Sequence, residues 1–241
     1  MPYPAPEPHD PPKQIGDDLF VVHGAVKMLP TMRISRNMTI VRNGTELTLI
    51  HPVRLSDEGL HQLDALGEVK HVLRLGPYHG MDDRFYVDHY KAKMWSFEGG
   101  TTYTEPAITN PLTAGGELPF PKAQLFAFDH LNQPEGVVLL ERDTNVLLTC
   151  DSIQSYSRPP HMPHTAWLTR KLMPLIGFTN KTIIGPIWIK RFATDHAGLK
   201  SEFERLLKLD FDQLLSAHGT FVERGAHAEV EAAFEVMFGQ S

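Results

Sequence analysis

Five side chains stand where chemistry could gather: His79, Asp82 and Asp83, then Asp151, then His218. They follow closely on three short apolar runs, VKHVLRL, NVLLT and FDQLLSA, of the kind that forms buried strands. In α/β architectures ligand sites collect beyond the carboxyl ends of strands, because loops there hang reactive side chains on a rigid base. Imidazole nitrogens and carboxylate oxygens suit zinc, and two histidines with a carboxylate also suit ferrous iron. The set therefore reads as a holder for one zinc or iron ion at most, with a coordination position left open. Such an ion acidifies water to a pKa of about 7 and polarises a carbonyl or phosphoryl oxygen. In that reading His79, Asp151 and His218 hold the ion with one or both of Asp82 and Asp83, and an acid left over, such as Asp82, orients a group, accepts a proton or replaces a ligand. Singly, each has a plainer role: Asp151 caps a turn, His218 bonds a loop, and the paired aspartates are solvated. Three strand ends carrying such groups together favour a shared site.

Arg84 is an objection and an opportunity. A guanidinium stays protonated and cannot ligate a cation. It would pair with Asp83 or Asp151 in place of a metal, or grip an anionic substrate through bidentate contact. Asn132 and His164 are further substrate-side candidates, the latter from RPPHMPHTAW, where His161 and His164 could reach inward from an overhanging loop. Exposure is the commoner fate of such a pair. His51 ends LTLIHPV and either supports the site or is simply buried. Phe85, Tyr86 and Tyr90 read as core anchors, and Cys150 as an inert, strand-packed thiol.

The elements that must position these groups are legible in part. DLFVVHG and MTIVRNGTELTLIHPV read as antiparallel strands, with Asn43-Gly44 a hairpin turn. Ser56 can cap a short amphipathic helix carrying Leu60, Leu63 and Leu66, which leads into VKHVLRL and the polar segment YHGMDDRFYVDHY. AKMWSF, KAQLFAFDHL, EGVVLLER and NVLLTCDS form a second block of strands, the last two neighbours across Asp143-Thr144-Asn145. Residues 152–192 are Pro-rich and read as an irregular excursion, with a helix near 165–176, serving as lid, dimer contact or core packing. Asp195 caps a confident helix, FDQLLSAHG ends a strand, and AHAEVEAAFEVMF closes the chain.

Composition bounds the answer. With 241 residues, 41% hydrophobic and 22% charged, the chain can bury one large core. A net charge of −6 leaves no excess cation for nucleic acid, and no apolar run spans a bilayer, so neither nucleic acid nor membrane is expected as a partner. A single cysteine excludes an intrachain disulfide and suits a reducing, cytoplasmic setting. Residues 1–14 read as a Pro-rich arm, disordered or extended, before a single domain over 15–241.

The order of pieces resembles the metallo-β-lactamase superfamily from residue 15 to 239. The counterparts of that family's motifs are HGMDDR at 79–84, NQPEG at 132–136, CD at 150–151 and AHG at 217–219. The resemblance implies a four-layer αββα sandwich and an α/β fold class. Aligned so, His79, Asp83, Asp151 and His218 keep ligand positions, whereas Met81, Arg84 and Asn132 stand where histidines are expected. It implies a mononuclear metal-dependent hydrolase of an ester, lactone, thioester or phosphoester. The alternative is a metal-free pseudoenzyme that binds a small-molecule ligand or serves a structural role. A homodimer is compatible with either.

Overall fold

The computed structural model describes residues 3–29 and 32–239. Strands β1 (Lys13–Gly16), β2 (Leu19–Leu29), β3 (Met32–Asn43), β4 (Glu46–Ile50), β5 (Glu68–Arg74), β6 (Lys93–Ser96) and β7 (Asn110–Pro111) form one sheet in sequential order. It is antiparallel up to β4 and parallel from there on. Strands β8 (Ala123–Ala127), β9 (Gly136–Leu140), β10 (Val146–Thr149) and β13 (Gln213–Ser216) form a second sheet in the order β13-β10-β9-β8. A small pair, β11 (Ile153–Ser155) and β12 (Thr182–Ile184), completes the set.

Period-two alternation distributes side chains between three apolar layers. Leu19, Val21, Val138, Leu140, Val146, Leu148 and Leu215 meet between the two sheets. Their neighbours Phe20, Val22, Ile40 and Leu49 face outward, where α1 (Asp57–Asp64) and α2 (Asp83–Tyr90) contribute Leu63, Phe85 and Tyr86. On the other side Val137, Leu139, Leu147 and Leu214 pack under α4 (Pro186–Phe192), α5 (His196–Leu206) and α6 (Ala226–Phe238). This is the four-layer sandwich expected from the sequence.

Local signals explain the element ends. The Ser56 side chain accepts from the Gly59 N–H at the start of α1, and that of Asp195 from Ala197 N–H at the start of α5. Helix α2, read from sequence only as a polar segment, forms because Phe85 and Tyr86 lie on a buried face. In the excursion over 152–192 the helix expected near 165–176 is present as α3 (Trp167–Leu172) and a 3-10 turn over Met173–Ile176, and β11, β12 and α4 add further regular structure. Within it Trp188 and Met173 are buried, but Trp167 and Ile176 are exposed rather than packed in a core. The described part of the Pro-rich arm is extended and pinned: Tyr3 Oη donates to Asp88, Asp10 N–H donates to the His23 carbonyl, and Ser56 N–H donates to His9 Nε2.

Candidate metal centre

Strand register brings the distant residues together. Parallel pairing aligns Thr149 of β10 with Ser216 of β13, so Asp151 and His218, each two residues further on, leave the sheet side by side. On the facing sheet β4 and β5 are also parallel, with Ile50 opposite Leu73; His51 follows the first and His79 the loop after the second. The result is a buried cluster. His79 Nε2 lies 3.3 Å from Asp151 Oδ2, and His218 Nε2 lies 3.2 Å from Asp151 Oδ1. The His79 ring centroid is 4.9 Å from that of His218 and 5.0 Å from that of His51.

The hydrogen-bond partners decide which nitrogens carry protons. His218 Nδ1 lies 2.7 Å from the Ser35 carbonyl, which can only accept, so that nitrogen is the N–H. In a neutral ring Nε2 is then a lone pair facing a carboxylate oxygen, a repulsive arrangement unless a cation lies between them. An imidazole oriented by a carbonyl in this way is the usual arrangement of a metal-bound histidine. The contacts of 3.2 and 3.3 Å are longer than a charge-assisted N–H···O bond of about 2.8 Å. They match the roughly 3.4 Å between neighbouring ligands of a tetrahedral ion bound at about 2.1 Å. His79 Nδ1 is buried and has no partner among the described residues. His79, Cys150 and Asp151 each offer one donor atom within 4.8 Å of the others, a set that fits one divalent ion, and His218 Nε2 lies against the second oxygen of Asp151.

Electrostatics follow from burial. Burial lowers His79 to about 4 despite the opposing pull of Asp151. His51 is also pushed well down, by burial and then by His79; Leu75 N–H donates to its Nε2, so its proton is on Nδ1. Burial alone would raise the Asp151 carboxyl, but His79 and His218 together hold it well below the usual carboxylate range. Behind it sits Glu135, which sequence reasoning missed. Burial and then the charge of Asp151 push its pKa well up, while Ser152 N–H and Trp188 Nε1 donate to its two oxygens. Its position in NQPEG was the only available signal. Cys150 is fully buried, and burial, Glu135 and Asp151 all raise its thiol. A disulfide reagent at about pH 8 should therefore leave native Cys150 unmodified and titrate it only after denaturation.

The other expected site residues lie elsewhere. Asp83 is fully buried but faces Arg74, whose Nη1 donates to it at 2.9 Å. Asp82 lies 3.5 Å from Arg36 Nη1 and accepts from Arg54 N–H. Two buried arginines thus take the acids that sequence reasoning offered to the metal. Arg36 also donates through Nη2 to the His79 carbonyl, bracing the ligand loop. Neither arginine was singled out from the sequence: Arg36 lies just ahead of the run MTIVRNG read as a strand, and Arg74 sits near the end of the apolar run VKHVLRL. Arg84 reaches Asp88 and Glu105 at the surface and touches neither Asp83 nor Asp151. Asn132 is exposed and donates to the Arg191 carbonyl. His164 pairs with Asp10 of the arm at 2.9 Å.

The buried acid and the buried histidine oppose one another in pH dependence. His79 has a folded pKa near 4 against an ordinary 6.5, so stability is full above 6.5 and is lost as pH falls toward 4. Asp83, raised by burial to about 6 from 3.8, takes its proton first in the native state, so acidification through that window stabilises. In chelator-treated protein Asp83→Asn should therefore steepen the fall in melting temperature between pH 6.5 and 4. A slope equal to the parent's would contradict the assignment.

Comparison with solved structures places the fold in a known architecture. A metallo-β-lactamase from Erythrobacter litoralis superposes with a TM-score of 0.60 at 13% identity, covering 93% of this chain and 92% of that one. The mono-zinc form of the metallo-β-lactamase FIM-1 from Pseudomonas aeruginosa gives 0.62 at 11% identity, covering 98% of each. A flavoprotein from Thermotoga maritima gives 0.60 at 16%, covering 95% of this chain and 61% of that one. No protein-family model and no curated protein matches the sequence. The chain has the metallo-β-lactamase-like αββα fold, and its cluster of metal-competent side chains is partial.

Proposed function

We propose that the protein is a mononuclear metal-dependent hydrolase in which His79, Asp151 and His218 hold the ion, with Cys150 beside them. One observation carries the reading. The Ser35 carbonyl fixes the His218 proton on Nδ1, aiming a lone pair at Asp151 across a gap of ligand-to-ligand width. A bound zinc or ferrous ion would supply Lewis acidity toward an ester, lactone, thioester or phosphoester and would acidify water. The chain's own residues do the rest. Asp151 keeps its charge at neutral pH and spans both histidines, Gln154 Nε2 donates to the Asp151 carbonyl, and Tyr156 Oη donates to Gln154. Glu135 holds the Ser152 backbone immediately after Asp151.

A second reading rests on Arg36 and Arg74. Both are buried beside Asp82 and Asp83, supplying fixed positive charge where the superfamily pattern would offer carboxylate to metal. In that reading those fixed charges stand in for the ion, and the fold is a metal-free pseudoenzyme. Elemental analysis of protein purified without added metal separates the two. About one equivalent of zinc or iron is expected, falling at least about tenfold in Asp151→Ala and His218→Ala. The parent should also gain melting temperature with added ion, because binding to the native state alone stabilises it. No metal in the parent and no thermal response would favour the pseudoenzyme.

A further inference from the structure

Acid-free sequence and exposed apolar side chains coincide in one stretch of this chain, and the proposed hydrolase does not use them. Between Asp151 and Asp195 the chain has 43 residues without a single Asp or Glu, although the whole chain has 29. The same stretch carries Arg170, Lys171, Lys181, Lys190 and Arg191, all exposed and, among the described residues, without an acidic partner within 4.0 Å. It also holds most of the exposed large apolar side chains: Trp167 at 68%, Leu168, Leu172, Leu175 at 80%, Ile176 and Ile187.

The tip of the β2–β3 hairpin continues the patch. The Ala166 N–H donates to the Arg33 carbonyl, and Arg33 Nε donates to the His164 carbonyl, so α3 starts beside the hairpin end. There Met28 and Leu29 are exposed, next to Lys27. Lys171 Nζ lies 4.2 Å from the Trp167 ring centre, joining a cation to an exposed aromatic face.

We infer that this face, built from α3, the following 3-10 turn, α4 and the β2–β3 hairpin, docks the protein on an anionic lipid bilayer. The exposed apolar side chains stand on two short helices and the turn between them, with cations beside them. Protruding Trp and Leu with Lys and Arg interspersed suit the interface of an anionic membrane, where apolar groups enter the acyl boundary and cations meet headgroups. A second copy of the chain would set two like-charged faces against each other, which disfavours a symmetric dimer here. No helix among the described residues is long and apolar enough to cross a membrane, so the attachment is peripheral. The face also adjoins the metal centre. Ser35 accepts His218 Nδ1 through its carbonyl and donates its N–H to Thr165, two residues before Trp167.

Full-length protein should be sedimented with vesicles of phosphatidylcholine containing phosphatidylglycerol, and with phosphatidylcholine alone. Binding is expected to the anionic vesicles, weakening as salt is raised, with a blue shift in tryptophan emission. Trp167 is the exposed tryptophan that can report it, since Trp188 is buried and Trp95 half-buried. The pair R170E and K171E should lower partitioning about tenfold or more, and W167A with L175A should abolish it. All four positions are exposed, and each variant's melting curve checks its fold. Absent binding, binding indifferent to charge, or folded variants that bind like the parent would each overturn the inference. So would a parent that ignores vesicles but forms a dimer lost in W167A with L175A, since a second copy would then cover the face.

Discussion

Asp83→Ala is expected to cost about 3–5 kcal/mol of stability while leaving the metal content of the surviving folded protein unchanged. The cost arises from what it abandons. Arg74 has only 5% of its side chain exposed and cannot shed its proton, so removing the acid 2.9 Å away leaves a buried cation with neutral partners, Ser96 Oγ and the Tyr103 carbonyl. Replacing both partners by apolar residues of similar size, Arg74→Met with Asp83→Leu, removes both charges together and should recover most of the loss. Chemical denaturation of the parent, both single variants and the double variant closes the cycle. The same proteins test the sequence motif. Were Asp83 a ligand, its milder variant Asp83→Asn would shed metal while staying folded. Paired with Arg74, it should keep its metal.

Asp83 also shows why the fold was easier to read than the site. Hydrophobic alternation, the Asn43-Gly44 turn, the Ser56 and Asp195 caps and the run-outs at Asp151 and His218 are local, and local signals survive in a single sequence. The convergence of His79, Asp151 and His218 was legible because each lies at a strand end, and strand ends in this architecture share one edge. Which aspartate turned inward was not legible. It depended on Arg36 in β3 and Arg74 in β5, whose burial is a property of pairs far apart in the chain. Arg84 misled for the same reason: next to Asp83 in sequence, it lies on the outer side of α2 and finds Asp88 one turn along. Asn132 and His164 likewise followed backbone partners and the N-terminal arm. Glu135 was hidden in a loop whose turn residues are ordinary. Side chains at the surface of 152–192 were misjudged because apolar type alone does not tell a core from an interface.

Gly219→Ala should be the other severe substitution, at about 4 kcal/mol or more, and should deplete the metal centre in whatever protein still folds. Gly219 has φ +79°, and a Cβ there would meet the Ser155 carbonyl oxygen at 1.7 Å, far inside contact distance. Neither side can yield easily. The Ser155 carbonyl accepts Thr220 N–H, and the Gly219 carbonyl accepts Asn37 Nδ2, which also binds the Ser216 carbonyl. These bonds fix the turn that carries His218, so relieving the clash displaces the imidazole from both the Ser35 carbonyl and Asp151. Gly44→Ala is the control: its φ is +61°, but a Cβ there meets nothing within 4 Å, so only the cost of left-handed backbone remains, about 1 kcal/mol. The excess of the Gly219 variant over the Gly44 variant in urea denaturation measures the backbone collision. Equal losses, with metal retained, would mean that the turn after His218 can shift freely and does not set the position of the histidine.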